Sequence, residues 1–270
     1  MNSISEKITS AGNPLVKRLR SLEQKKYRAE TGCFIAEGAR LVAQALEQGW
    51  QIKTLITGTR EHLPAHLQTL IQRAEAQGAR HAEVSDRLLG SISRKHNPQS
   101  VIAEIQQKSL DLSALPQEAS RLWLGLYEVR DPGNLGTILR TVDCAGAAGI
   151  VLIGQCCDPY SVEAVRASMG SLFDVALAQT DFATFQIWRK SLGLQVIAAS
   201  MQGQAPHTDM PFQQPSMILM GNEQSGLPPA VEAECDQLCR IPMRGGADSL
   251  NLAQASAIIL YEAWRQREFR

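Results

Sequence analysis

Apolar positions change period several times along the first hundred residues. After the turn Asn13-Pro14, Leu15, Leu19 and Leu22 recur every three or four residues, so they share one face of a predicted helix. Residues 33–36 (Cys, Phe, Ile, Ala) form a short apolar run and read as a strand, and residues 39–48 return to helical spacing. Residues 52–57, 63–76 and 101–105 continue the alternation, which predicts a small α/β unit. Between 106 and 120 the pattern gives way to Ser, Asp, Gln and Pro, the composition of a linker. Apolar runs then return at 122–127, 150–153, 195–199 and 217–220, with helical segments between most of them, and predict a mostly parallel, helix-covered sheet. The expected organisation is an α/β chain with a first domain at 1–107, a linker at 108–120 and a second domain at 121–270.

Charge divides along the same boundary. The 27 Lys and Arg balance 27 Asp and Glu overall, yet the first 110 residues hold 16 basic against 10 acidic and the remainder 11 against 17. Much of the basic excess sits in Lys17, Arg18, Arg20, Lys25, Lys26 and Arg28, the clustering that a phosphate-binding face requires, although a solvated helix face has the same composition. The six cysteines (33, 144, 156, 157, 235 and 239) include no paired CxxC motifs and no matching His cluster, so neither a zinc site nor a disulfide framework is expected. No apolar stretch approaches the length of a membrane span, and the first ten residues do not resemble a secretion signal; a cytoplasmic protein is expected.

Three segments of the second half join apolar runs to loops rich in Gly, Asn and Ser. The first, residues 131–140 (DPGNLGTILR), places Asn134 as the expected cap of a helix over 135–147, with Arg140 well inside it. Gly136 precedes Arg140 by four residues, so the same face has room for a bulky anion beside the guanidinium. By composition alone Asn134 reads equally as a plain cap and Arg140 as a solvated charge. The second, residues 221–227 (GNEQSGL), ends a strand-like run; its glycines permit close backbone approach, while Glu223 suits an Arg, a ligand hydroxyl or plain solvation. The third, residues 241–252 (IPMRGGADSLNL), leads through Gly245-Gly246 to Asp248 and Ser249, expected to start a helix over 250–264. That helix is apolar at 252, 256/257, 260 and 263/264 and nearly all round at 257–261, which predicts two buried faces, the second either within the chain or in a homodimer. No GxGxxG dinucleotide fingerprint is present.

In this order and spacing the three segments resemble those of the SpoU/TrmH family of RNA methyltransferases, within the SPOUT superfamily. Asn13-Pro14, residues 34–41 (FIAEGARL) and Asn97-Pro98-Gln99 resemble the substrate-binding domain that many members carry first, so the likeness extends over essentially the whole chain. Ser100 departs from the Gly of many relatives, and Gln254 interrupts a run of small residues. The resemblance implies a trefoil knot near the carboxyl end, where periodicity alone predicts an ordinary doubly wound sheet. It also implies S-adenosylmethionine as cofactor, a ribose 2′-hydroxyl as methyl acceptor and a homodimer formed through the knotted domain. Asn134, Arg140, Glu223, Ser249 and Asn251 are implied in the catalytic and RNA-facing site, and Gly221, Ile241, Met243 and Leu250 around the cofactor. Two-domain relatives favour 23S-type ribosomal RNA as substrate; transfer RNA, a base nitrogen as acceptor, and a non-catalytic RNA-binding or assembly role are the alternatives. Methyl transfer from a sulfonium needs an oriented oxygen and no metal. Arg140, too basic to accept a proton readily, is expected to hold the neighbouring phosphate.

Overall fold

The computed structural model describes residues 6–59, 63–93, 100–115 and 122–269, so the Asn97-Pro98-Gln99 stretch and part of the expected linker lie outside the described residues. Two compact units divide the chain: Met1–Lys108 with Asp158–Phe173, and Ser109–Cys157 with Asp174–Arg270.

The first unit opens with β1 (Glu6–Ile8), α1 (Pro14–Ser21), α2 (Lys25–Thr31), β2 (Cys33–Glu37) and α3 (Ala39–Glu47), followed by β3 (Ile52–Gly58), α4 (Ala65–Ala76), β4 (Arg80–Val84), α5 (Asp86–Ser93) and β5 (Val101–Gln106). Its sheet has the order β1-β4-β3-β5-β2, with β5 antiparallel to both its neighbours. Asn13 caps α1 by accepting from the Leu15 amide at 2.8 Å, Pro14 occupies the first turn, and Leu15, Val16, Leu19 and Leu22 are buried, as their spacing required. Lys17, Lys25 and Lys26 are exposed. Arg18 is half-committed: it donates to the buried Glu104 at 2.6 Å with 47% of its side chain still exposed. Arg20 donates to the Ser91 hydroxyl.

Arg28 corrects the basic-face expectation. It is only 3% exposed, and its guanidinium donates to Asp158 at 2.8 and 2.6 Å and to the carbonyls of Leu22 and Glu23 at 2.8 and 2.6 Å. A guanidinium enclosed and saturated in this way has nothing to offer a phosphate.

The second unit begins with β6 (Leu122–Tyr127), α6 (Pro132–Cys144) and β7 (Gly149–Ile153). The chain then returns to the first unit for residues 158–173, which include α7 (Val162–Ala167) packed on β2. There Tyr160 packs against Phe34 with tilted rings at 4.9 Å, Phe173 meets Trp50 edge-on at 5.3 Å, and the Trp50 indole donates to the Phe173 carbonyl at 3.0 Å. The second unit resumes with β8 (Ala176–Thr180), α8 (Phe182–Ser191), β9 (Gln195–Ala199), β10 (Ala205–Pro206), β11 (Ser216–Met220), α9 (Pro229–Glu232), β12 (Gln237–Arg240) and α10 (Leu252–Gln266). Its seven strands run in the order β10-β12-β9-β11-β6-β7-β8, every pair parallel. The loops following β6, β9, β11 and β12 therefore leave one edge of the sheet, the carboxyl edge at which open α/β sheets bind ligands. Trp123, Phe185, Val196, Met217 and Leu219 lie in the core on one side of the sheet.

Candidate functional site

At the β6–α6 junction the helix starts three residues earlier than composition suggested. Asp131, not Asn134, is the cap: its Oδ1 accepts from the Asn134 amide at 2.6 Å, and Pro132 supplies the fixed φ of the first helical residue. A strong cap directly before proline wins over an asparagine three residues later, and α6 ends at Cys144. Asn134 thus stands in the first turn with its side chain free to act elsewhere. The start of α10 is displaced the other way. It begins at Leu252, and the cap is Asn251, whose Oδ1 accepts from the Ala253 and Gln254 amides at 2.9 and 3.4 Å, not Asp248 or Ser249.

These two asparagines and Glu223 join the three segments in one hydrogen-bonded chain. The Asn251 Nδ2 donates to Asn134 Oδ1 at 2.9 Å, and the Asn134 Nδ2 donates to Glu223 Oε1 at 3.3 Å. Glu223 also accepts from the backbone amides of Arg130 and Asp131, each at 3.1 Å. Burial pushes its carboxyl pKa up, but those amides, its own amide and the Asn134 side chain outweigh burial and hold it below the ordinary carboxylate value. Glu223 is therefore an ionised anchor at neutral pH. Sequence reasoning missed its neighbour Asn222, which donates to the Glu128 carbonyl at 2.8 Å and accepts from the Gln224 and Ser225 amides. The available signal was an Asn just after a strand, where an Asx turn forms readily. Glu128 itself adopts φ 50°, a left-handed conformation that few residues other than glycine take up.

Gly221 is fixed by sterics. Asn222 and Gly226 pair through their backbones at 3.0 Å in both directions, and a Cβ on Gly221 would fall 2.4 Å from the Gly226 carbonyl carbon. Behind this turn lies a cleft of about 520 Å³ whose walls include Gly221, Glu223, Ile241, Met243, Ser249 and Leu250. All four residues expected around a cofactor thus share one cleft. Residues 241–250 form neither helix nor strand, and they make no hydrogen bond among the described residues, so their backbone groups remain open to a ligand. Asn134 and Asn251 stand at the network rather than in the cleft wall. Arg140 is exposed on α6 and touches none of the others through a hydrogen bond or ion pair among the described residues. Gly136 is buried whereas Arg140 is exposed, so it does not open space beside the guanidinium; α6 uses its inner face to pack on α10 and β7. Cys157, whose amide bonds the Val129 carbonyl, is no nucleophile: burial first, then Cys156, Glu223 and Asp131, pushes its thiol up to about 12. Among the described residues no group of His, Cys, Asp and Glu is arranged to hold a metal.

Residues 121–261 match the SpoU rRNA methylase family, and residues 13–103 match the MRM3-like substrate binding domain. The chain is 32% identical over 252 residues to the 23S rRNA (uridine(2479)-2′-O)-methyltransferase of Streptomyces viridochromogenes, covering 91% of this chain and 87% of that protein. The crystal structure of an AdoMet-bound rRNA methyltransferase from Sinorhizobium meliloti superposes with a TM-score of 0.91 at 42% identity, covering 97% of this chain and 98% of that one. A tRNA (cytidine(34)-2′-O)-methyltransferase from Beijerinckia indica is 35% identical, but over only 144 residues, 53% of this chain and 90% of that protein. With more than half its length matched to one family, and relatives aligned nearly end to end, the chain belongs to the SpoU rRNA methylase family.

Proposed function

We propose that this protein transfers a methyl group from S-adenosylmethionine to a ribose 2′-hydroxyl of a structured RNA, with 23S-type ribosomal RNA as substrate. The observation that carries this reading is the Glu223–Asn134–Asn251 chain, which draws three distant segments together beside the cleft. The likeness to a 23S rRNA enzyme covers both halves of the chain, whereas the tRNA enzyme is matched over about half of it; this favours ribosomal RNA.

The cleft suits the cofactor. Ile241, Met243 and Leu250 supply apolar wall, Gly221 allows close backbone approach, and the open amides of 241–250 supply donors. When bound, S-adenosylmethionine supplies a methyl electrophile on a sulfonium. The protein's part is positioning. Asn134, Asn251 and Ser249 orient the ribose, with Glu223 fixing Asn134 and the 130–131 backbone. Held below the usual carboxylate range and already accepting from three groups, Glu223 is a poor proton acceptor. Arg140, exposed and uncommitted, is suited to the phosphate next to the reacting ribose.

Residues 1–107, joined by 158–173, act as the RNA substrate-binding domain, with Lys17, Arg18, Arg20, Lys25 and Lys26 on the phosphate-facing side; the linker expected at 108–120 is shorter, because Leu112 and Leu115 are already buried in the core of the second unit. Residues 121–270, apart from the 158–173 segment that packs with the first unit, act as the methyltransferase domain, with the trefoil knot at their carboxyl side. Homodimerisation uses α10, whose Ile258 and Tyr261 are 40% and 43% exposed, and the protein works in the cytoplasm.

Incubating the protein with ribosomal RNA and methyl-labelled S-adenosylmethionine, then digesting to nucleosides, tests the reaction: label must appear in 2′-O-methylnucleosides, and label on base nitrogens overturns the reading. Arg140→Lys keeps weak RNA binding but loses roughly 100-fold in turnover, since an ammonium lacks the planar fork. Near-normal turnover rejects the phosphate-holding role. Titration with S-adenosylmethionine, with Leu250→Arg as the blocked-cleft comparison, separates an enzyme from a non-catalytic RNA binder.

A further inference from the structure

Two carboxylates line the cleft, and they differ in what they have left to give. Both oxygens of Glu223 are taken. Glu232, at the end of α9, accepts a single side-chain hydrogen bond, from the Ser200 hydroxyl to Oε1 at 2.5 Å, and no cation among the described residues pairs with it. Ser200 follows β9 and is itself fixed, because its Oγ accepts from the Gln202 amide at 3.0 Å. The nearby Arg240, also in the cleft wall, turns its Nη1 to the Gly203 carbonyl at 2.9 Å instead. The second oxygen of Glu232 is therefore without a protein partner among the described residues, in a wall that also contains Met201, Met220, Leu227 and Ile241. A ligand that fills the cleft displaces water from this oxygen. Unless the ligand brings a polar hydrogen, the carboxylate loses solvation with nothing in return.

We propose that Glu232, held by Ser200, is a cofactor-positioning residue whose free oxygen accepts a hydrogen bond from the cofactor's polar hydrogens. Three groups of S-adenosylmethionine offer them, the ribose diol, the adenine amine and the α-ammonium. The proposal rests on the S-adenosylmethionine reading above. It gives Glu232 a part in affinity rather than in the chemical step, since the interaction is equally present before and during methyl transfer.

The test is calorimetric titration of the full chain, wild type against Glu232→Gln and Ser200→Ala, with S-adenosylmethionine, S-adenosylhomocysteine and 5′-methylthioadenosine, which lacks the amino-acid end. Glu232→Gln is expected to weaken S-adenosylmethionine about tenfold or more, the scale of a hydrogen bond to a charged group. Ser200→Ala is expected to weaken it about threefold, by loosening the carboxylate. In turnover assays KM for S-adenosylmethionine rises with kcat unchanged. If methylthioadenosine weakens in parallel, the partner is on the nucleoside, the diol or the adenine amine; if only the two amino-acid-bearing ligands weaken, it is the ammonium. Wild-type binding with Glu232→Gln within twofold of it overturns the assignment alone. No binding of S-adenosylmethionine by the wild type, with or without ribosomal RNA, overturns the cofactor reading and this one with it.

Discussion

Glu223 is an acid used as a structural anion: backbone amides of Arg130 and Asp131 and the Asn134 side chain converge on it. Its folded-state pKa lies below the ordinary value near 4.5. Its stabilising contribution is therefore complete above the unfolded pKa and is lost as pH falls through the folded one. Glu223→Gln sets an amide NH₂ against backbone donors and is expected to cost about 1–3 kcal/mol at neutral pH. Denaturant midpoints measured from pH 6 down to 3 should show the gap between variant and wild type closing in acid; a constant gap contradicts this account. Asn134, Glu223 and Asn251 could be picked out from the sequence as residues, but not as partners. They are 89 and 117 positions apart, and no local period links them. For the same reason the burial of Arg28 was invisible: in sequence it is one more cation in a basic run, and only the fold supplies Asp158, 130 positions away.

Among elements, legibility followed periodicity. α1, β2, α3, β3, β6, β7, β9 and β11 lie where apolar spacing put them, within a residue or two. α2 and α5 were not anticipated, nor were β4 and β8. α2 (KKYRAET) has no apolar stripe; it is held by the buried Arg28 and closed by Gly32 in the left-handed conformation at φ 62°. β4 and β8 mix polar with apolar positions, and their pairing with β3 and β7 decides their state. Helix starts failed where two capping residues competed, as at Asp131 and Asn251. The β11–α9 turn carries its own prediction. Gly221→Ala drives a methyl into the Gly226 carbonyl and is expected to destabilise by about 1–3 kcal/mol while abolishing measurable binding of S-adenosylmethionine. Thermal melting together with titration checks both; intact binding shows that the turn can yield.

At the scale of the whole molecule, the notable departure from a simple two-part chain is the return of residues 158–173 to the first unit. The Arg28–Asp158 pair fixes that return, with both side chains largely buried, at 4% and 13% exposed. Arg28→Ala leaves a buried carboxylate alone and is expected to cost about 3–5 kcal/mol, while Arg28→Met with Asp158→Leu is expected to recover much of the loss. Equilibrium unfolding of the three proteins decides it, and equal destabilisation by single and double variants rejects the pairing argument. A fragment ending at Lys108 has the complete five-stranded sheet yet lacks Tyr160 and Phe173, so Phe34 and Trp50 lose aromatic neighbours. The two halves are consequently not interchangeable cassettes. Grafting the substrate-recognising half onto another methyltransferase requires transplanting a sixteen-residue insert from deep within the catalytic sequence, and a recombination event that cuts once, between the halves, yields two defective products.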